Sequence, residues 1–191
     1  MRGYALLYPK IVFLGMTTGD LTISSYSDND IATLVVLINS AYRGEASKKG
    51  WTTEADLLAG PLRIDEDTLT KTLHKEGATM LKVTNENGEI LGCVYLTEQS
   101  GKLYLGMLTV SPELQSSGIG KKLLSAAEDH AKKINLDTIT MQVVSVRNEL
   151  ISWYIRHGYH DTGERKPFPT DNNFGVPTQP LEFAILEKKL T

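Results

Sequence analysis

Cysteine is almost absent from this sequence, because Cys93 is the single thiol among 191 residues. One thiol cannot form an intrachain disulfide, and it cannot supply the several thiolates of a cysteine-based zinc site. We therefore expect the chain to fold in a reducing compartment, with Cys93 as a small apolar residue in a buried strand.

Long apolar runs are missing as well. The two apolar stretches near the N-terminus, Tyr4–Tyr8 and Ile11–Leu14, are separated by a Pro-Lys pair. Each is too short for a membrane span or for the apolar core of a secretory signal, and no small-residue cleavage site follows. We expect a cytoplasmic protein, in which residues 1–15 are an N-terminal extension or an upstream start and residues 16–191 form a single domain.

A strong excess of either charge is also missing. The chain has 20 Lys and Arg residues against 23 Asp and Glu residues, a formal net charge of −3. Without a broad cationic field, neither nucleic acid nor an anionic membrane is expected as a partner. Any anion that the protein binds must be held by local geometry. With 41% hydrophobic and 23% charged residues, the composition is that of an ordinary globular protein.

Along the chain, segments whose apolar residues have the spacing of a helix alternate with segments that have the spacing of a strand. Helices are predicted over 31–42, 51–58, 66–75, 118–134 and 149–157, and strands over 21–24, 80–84, 90–96, 103–110, 138–144, from 159 onward and over 181–186. Asn87-Gly88 predicts a hairpin, and the next strand extends it into an antiparallel meander. The segment Gly163–Pro180 contains four of the seven prolines and is predicted to be a functional or mobile loop.

The segment that most clearly indicates a binding site is residues 110–124, VSPELQSSGIGKKLL. Here a strand ends, a short loop turns, and a long helix begins with Gly118 and Gly120 in its first turn. A helix N-terminus offers unpaired backbone N–H groups and the positive end of the helix dipole, and glycines let a phosphate approach closely. We interpret the segment as a pyrophosphate cradle. It is neither a Walker A loop nor a dinucleotide fingerprint, whose third glycine is replaced by Leu123.

Two motifs carry a family resemblance. Gln115–Gly120 fits the pattern Q/R-x-x-G-x-G/A, and Asn148, Tyr154 and Gly158-Tyr159 form a second block further along the chain. In these motifs and in its order of elements the sequence resembles the GNAT superfamily of acetyl-CoA-dependent N-acetyltransferases, from about residue 20 to the C-terminus. The resemblance implies a mixed α/β fold, in which a central, mostly antiparallel sheet has two splayed parallel strands and flanking helices.

The resemblance also implies acetyl-CoA as cosubstrate, wedged between strands 103–110 and 138–144 with its pantetheine paired to a strand edge. No metal site is expected, since no His or carboxylate spacing resembles one. The residues expected to bind the cofactor are Leu108, Thr109, Val110, Gln115, Ser116, Ser117, Gly118, Ile119, Gly120, Lys121, Asn148 and Tyr154.

The implied reaction is direct attack of an amine on the thioester. An alkyl amine is mostly protonated near neutral pH, so a base must accept its proton, and the departing thiolate needs an acid. The resemblance assigns Tyr154 as the general acid, and a strand N–H such as that of Leu108 can stabilise the oxyanion. The base is less determined: Glu54 is our candidate catalytic residue, with Asp56 and Glu182 as alternatives.

The acceptor is expected to be a small-molecule amine or the amino group of a peptide. Acidic residues near Trp51 favour a cationic amine, whereas Arg165-Lys166 in the proline-rich segment favours an acidic group. A homodimer is compatible with the resemblance. The alternative function is a non-catalytic acyl-CoA binding module, a sensor or interaction domain, and the presence of Tyr154 argues against it.

Overall fold

A computed structural model describes residues 20–60, 62–169 and 175–191, so the extension predicted for residues 1–15 lies outside the described residues. The helices are α1 (Ile31–Tyr42), α2 (Gly44–Ser47), α3 (Glu66–Leu73), α4 (Ile119–Lys133) and α5 (Asn148–Arg156). The strands are β1 (Thr22–Ser25), β2 (Leu58–Ala59), β3 (Ala78–Thr84), β4 (Ile90–Gln99), β5 (Lys102–Val110), β6 (Thr138–Val144), β7 (His160–Pro167), β8 (Val176–Pro177) and β9 (Glu182–Lys189).

Seven of these strands form one sheet in the order β1-β3-β4-β5-β6-β9-β7, and β2 pairs with β8 in a separate small ribbon. The neighbours β5 and β6 are parallel, and the other neighbours in the large sheet are antiparallel. This confirms the predicted mixed α/β fold with a mostly antiparallel sheet. The predicted hairpin is also confirmed, with Asn85 accepting hydrogen bonds from the backbone N–H groups of Asn87 and Glu89.

The parallel strands β5 and β6 separate part of the way along their length. Their pairing covers Leu103 to Leu105, while β6 remains paired with β9 as far as Val144. Beyond Leu105 the register between β4 and β5 shifts, and Met107 has a φ of +46°. An extra residue in one strand bends that strand and increases its local twist. The bulge in β5 therefore opens a cleft between β5 and β6, as the resemblance implied.

Apolar residues cover both faces of the sheet. On one face α4 contributes Leu123, Leu124 and Ala127, which follow the helical spacing read from the sequence. On the other face α1 and α3 pack against β3 and β4, where Cys93 is completely buried. Burial raises the pKa of the Cys93 thiol to about 12, which is consistent with the small apolar role expected for it.

Two predictions of local structure were wrong. Residues 51–57 form turns instead of a helix, because side chains from distant elements bind their backbone. The first part of the predicted loop Gly163–Pro180 belongs to β7, which pairs with β9 at Arg165 and Lys166. Residues 170–174 of that segment lie outside the described part of the chain.

Candidate active site

The glycine-rich turn leads directly into the N-terminus of α4. Ser116 and Gly118 both have left-handed backbone conformations, with φ values of +70° and +89°. Lys122 donates the first hydrogen bond of the helix, to the carbonyl oxygen of Gly118. The backbone N–H groups in the first turn of a helix have no partners within that helix. The turn therefore presents several donors at the positive end of the helix dipole.

The cradle has little room for a side chain at Gly120. A Cβ atom there would lie 3.3 Å from Cζ2 of Trp153, a ring that borders the same space. A cavity of about 600 Å³ lies in front of this turn, within the range usual for small-molecule sites. Lys121 adds positive charge at the helix start, and Gln115 and Ser116 line the cavity beside the glycines. These residues fit a pyrophosphate-containing group such as coenzyme A.

This cofactor cavity extends from the start of α4, along α5, to the bulge in β5. Its lining residues are Tyr42, Trp51, Thr52, Leu108, Val110, Gln115, Ser116, Gly118, Gly120, Lys121, Glu149, Leu150, Trp153, Tyr154, Arg156 and His157. A second cavity of about 150 Å³ lies in the cleft between β5 and β6. We call it the acceptor cavity, and its polar lining includes Glu54, Arg63, Tyr104, Gln142 and Arg147.

The two cavities share four lining residues, Tyr42, Leu108, Leu150 and Tyr154. The shared residues come from α1, from the bulge of β5 and from α5. A group in the cofactor cavity and a group in the acceptor cavity can therefore meet at these side chains. This junction is the position at which a transfer between two substrates is possible.

Tyr154 lies at the junction with only 6% of its surface exposed. Its ring packs edge-to-face on Trp153 and Tyr159, with centroid distances of 5.0 and 5.7 Å. Burial, and then the neighbouring Tyr42, raise the pKa of the Tyr154 phenol well above its usual value. Within the described ranges its hydroxyl makes no hydrogen bond. At neutral pH the phenol is therefore protonated and able to donate.

Tyr42 was missed by the sequence reasoning, which treated it as an apolar residue of a helix. Its hydroxyl donates a hydrogen bond of 2.6 Å to the carbonyl oxygen of Leu108. This bond joins the end of α1 to the bulge of β5. Burial raises the pKa of Tyr42, so this phenol also remains protonated.

Glu54 lines the acceptor cavity and is held by two arginines. Its Oε2 atom lies 2.6 Å from Nη1 of Arg43 and 3.8 Å from Nε of Arg63. The alternative bases are elsewhere: Asp56 is exposed and Glu182 lies 3.8 Å from Arg165 on the surface. Neither alternative lines either cavity.

Four residues predicted to bind the cofactor have side chains outside both cavities. Thr109 points away from the cleft because successive side chains of a strand alternate, and its hydroxyl donates to the carbonyl of Met107. Ser117 donates to the carbonyl of Leu114, and Ile119 is buried in the core beneath α4. Asn148 is exposed at the start of α5. The backbone N–H of Ser117 donates to the carbonyl oxygen of Leu114, whereas the backbone N–H of Ile119 belongs to the first turn of α4.

The sequence reasoning also missed several residues of α5 and its C-cap that line the cofactor cavity: Leu150, Trp153 and His157. They share one face of the helix with Tyr154 at spacings of three and four residues. That spacing is visible in the sequence and could have found them. Trp51 and Thr52 lacked such a signal, because their segment has no regular structure.

Comparison with known proteins agrees with this geometry. Residues 58–170 match the family model of the acetyltransferase (GNAT) domain. The chain therefore belongs to the GNAT acetyltransferase family, which confirms the resemblance seen in the motifs. A curated relative, the uncharacterized N-acetyltransferase YhfO of Bacillus subtilis strain 168, is 32% identical over 92 residues. That match covers 44% of this chain and 62% of YhfO, less than two thirds of its length.

Solved structures share the fold. The ribosomal-protein-S18-alanine N-acetyltransferase of Escherichia coli superposes with a TM-score of 0.66 at 18% identity, covering 90% of this chain and 95% of that chain. The protein yncA of Salmonella typhimurium, solved with its cofactor acetyl-CoA, gives a TM-score of 0.65 at 19% identity, with coverages of 91% of this chain and 95% of that chain. At these identities the likeness establishes the fold alone.

The described residues show neither a candidate metal site nor a candidate membrane span. No group of three or more His, Cys, Asp or Glu side chains in them could hold a metal ion. None of the helices in the same residues has the length and apolar character needed to cross a membrane.

Proposed function

We propose that this protein is an N-acetyltransferase that moves an acetyl group from acetyl-CoA to an amine by direct attack, with residues 16–191 as the catalytic domain. The observation that carries the proposal is the junction of the two cavities at Tyr154 and Leu108. A single-substrate binding module needs the cofactor cavity only. An acceptor cavity that opens onto the same two residues is what a transferase requires.

The turn from Gln115 to Lys121 is the proposed pyrophosphate site. Its backbone donors and the Lys121 ammonium group face the cofactor cavity and can neutralise phosphate oxygens. Leu108 and Val110, on the separated part of β5, line the same cavity and are the proposed partners of the pantetheine. When bound, acetyl-CoA supplies the acetyl group as an activated thioester.

Tyr154 is the proposed general acid. Burial keeps its phenol protonated, and its hydroxyl has no competing hydrogen bond in the described part of the chain. It can therefore donate its proton to the leaving sulfur atom. The backbone N–H of Leu108, at the bulge beside Tyr154, is the proposed donor to the developing oxyanion.

Glu54 remains the proposed base, since it is the carboxylate among the described residues that lines the acceptor cavity. Its Oε2 atom is ion-paired with Arg43, so proton acceptance falls to Oε1 or to a water molecule that Oε1 holds. The same ion pair fixes the side chain in one orientation at the cavity wall.

Replacing Glu54 with glutamine should lower kcat by about 100-fold, because an amide cannot accept the proton of the amine. Glutamine preserves the size of the side chain and offers Arg43 a carbonyl oxygen. The measurement is kcat from pH 6 to 9, with thermal unfolding recorded for both proteins. If kcat is unchanged in the variant, Glu54 is only the partner of Arg43 and the base lies elsewhere.

The proposal as a whole is tested by thiol release from acetyl-CoA across a panel of amines that includes amino acids, polyamines and peptide N-termini. We expect release with at least one amine, and CoA alone should raise the unfolding temperature. A rise in unfolding temperature without turnover on any amine would instead support an acyl-CoA binding module. No effect of CoA on unfolding would overturn both functions.

A further inference from the structure

Residues Trp51–Thr53, which we call the strap, form part of the wall of the cofactor cavity although they belong to no helix or strand. Trp51 and Thr52 line the cavity, and the Trp51 ring lies 6.1 Å from the ring of Trp153 on α5. The backbone of the strap is bound by two side chains from distant parts of the chain, Gln115 and Arg147.

Gln115 uses both ends of its amide on the strap. Its Oε1 atom accepts the backbone N–H of Trp51 at 2.8 Å, and its Nε2 atom donates to the hydroxyl of Thr52 at 2.7 Å. The fit is close, because a Cβ atom at Gly50 would lie 2.7 Å from this amide. The Gln115 side chain therefore holds the strap, while its backbone belongs to the phosphate turn.

Arg147 binds the carbonyl groups of the strap and is 7% exposed. Its Nη2 atom donates to the carbonyl of Trp51 and its Nη1 atom to that of Thr53, both at 2.8 Å. Its Nε atom is paired with Glu149. The planar guanidinium group, with its fixed donors, suits two carbonyls at a set spacing, which an ammonium group cannot bridge in the same way.

The strap continues directly into the acceptor cavity. Glu54 follows Thr53, its backbone N–H donates to the carbonyl of Tyr42 at 3.0 Å, and its carboxylate lines that cavity. The strap and the residue after it therefore contribute to both cavities. A displacement of the strap on the cofactor side would move Glu54 on the acceptor side.

We propose that Gln115 and Arg147 are positioning residues that hold the strap in the wall of the cofactor cavity, so that CoA binding stabilises the strap and, through Glu54, the acceptor site. The first part of the proposal, that CoA stabilises the strap, does not depend on the proposed function. The second part, the effect on the acceptor site, rests on the proposed function.

The rate of trypsin cleavage tests whether the two side chains and CoA stabilise the strap, because Lys48 and Lys49 are exposed just before it. Cleavage after Lys49 should be at least about 10-fold faster in Gln115→Leu and in Arg147→Lys than in the wild type. Saturating CoA should slow this cleavage in the wild type and much less in the variants. Cleavage after Lys75, in the exposed turn that follows α3, is the internal reference.

Gln99→Leu removes the same amide group from an exposed position outside both cavities and should leave every rate unchanged. A general loss of stability would accelerate cleavage after Lys75 as much as after Lys49, and this result would contradict the proposal. Equal cleavage after Lys49 in the variants and the wild type would also overturn it.

The effect of the strap on the acceptor site is measured by steady-state kinetics with acetyl-CoA and the amine of highest turnover. Gln115→Leu, at a position that lines only the cofactor cavity, should raise KM for that amine by at least about 5-fold, in addition to any rise in KM for acetyl-CoA. An unchanged KM for the amine would overturn the coupling. If CoA protects Lys49 but no amine is acetylated, the proposed function fails while the positioning of the strap stands.

Discussion

Replacing Tyr154 with phenylalanine is expected to lower kcat by about 10³-fold while leaving the affinity for CoA nearly unchanged. The variant loses one hydroxyl at the junction of the cavities and keeps the ring that packs on Trp153. The hydroxyl makes no hydrogen bond elsewhere in the described ranges, so its loss leaves no buried partner unsatisfied. Steady-state thiol release, with CoA affinity from thermal shift, separates the two effects.

Tyr159→Phe is the matched control for this experiment. Tyr159 is a second buried tyrosine that packs on Tyr154, and its hydroxyl has no hydrogen-bond partner among the residues that the structure describes. It lines neither cavity. Removal of its hydroxyl should leave kcat within about 2-fold of the wild type, since no bond in the site is lost. A kcat that is equally normal for Tyr154→Phe would remove Tyr154 from the mechanism.

Replacing Gly120 with glutamate should weaken CoA binding by at least about 100-fold, which corresponds to about 2.7 kcal/mol. A Cβ atom at this position already approaches the Trp153 ring to 3.3 Å, so the longer side chain must enter the cavity. Its carboxylate would then occupy the region in which we place the phosphates. The measurement is the CoA-dependent rise in unfolding temperature, which should vanish.

Two further variants separate the effect of the carboxylate charge on CoA binding from the effect of side-chain size. Gly120→Gln has the same length without the charge, so a smaller loss of affinity identifies the electrostatic part. Lys122→Glu places a carboxylate on the same helix, at an exposed position that does not line the cavity. It should retain most of the CoA response. Normal CoA binding by Gly120→Glu would exclude the glycine turn as the phosphate site.

The structure changes both expectations about the charge of the acceptor. The carboxylate of Glu54, which favoured a cationic amine, is ion-paired with Arg43. Arg165, which favoured an acidic acceptor, is paired with Asp161 through two hydrogen bonds on β7. Since each charge is compensated within the chain, the amine panel has to include acceptors of both charges.

The fold and the cofactor side of the site could be predicted because their signals are local. The helical spacing of Leu123, Leu124 and Ala127 marked α4, and Asn87-Gly88 marked the hairpin. Gly118 adopts the left-handed conformation that its lack of a side chain allows, so the turn is encoded at the position where it occurs. The role proposed for Tyr154 came from a motif within one helix.

The sequence by itself determined the chain order of the seven strands of the large sheet and of α1, α3, α4 and α5, the glycine turn and the family. Only the tertiary structure decided which residues meet. Tyr42 reaches the carbonyl of Leu108, 66 residues later in the chain, and Arg147 binds the carbonyl of Trp51, 96 residues before it. The carbonyls of the strap are taken by a guanidinium group instead of by helical N–H groups, so the predicted helix does not form. Periodicity describes neighbours within one element, whereas the acceptor site depends on contacts between elements that the chain brings together only when it folds.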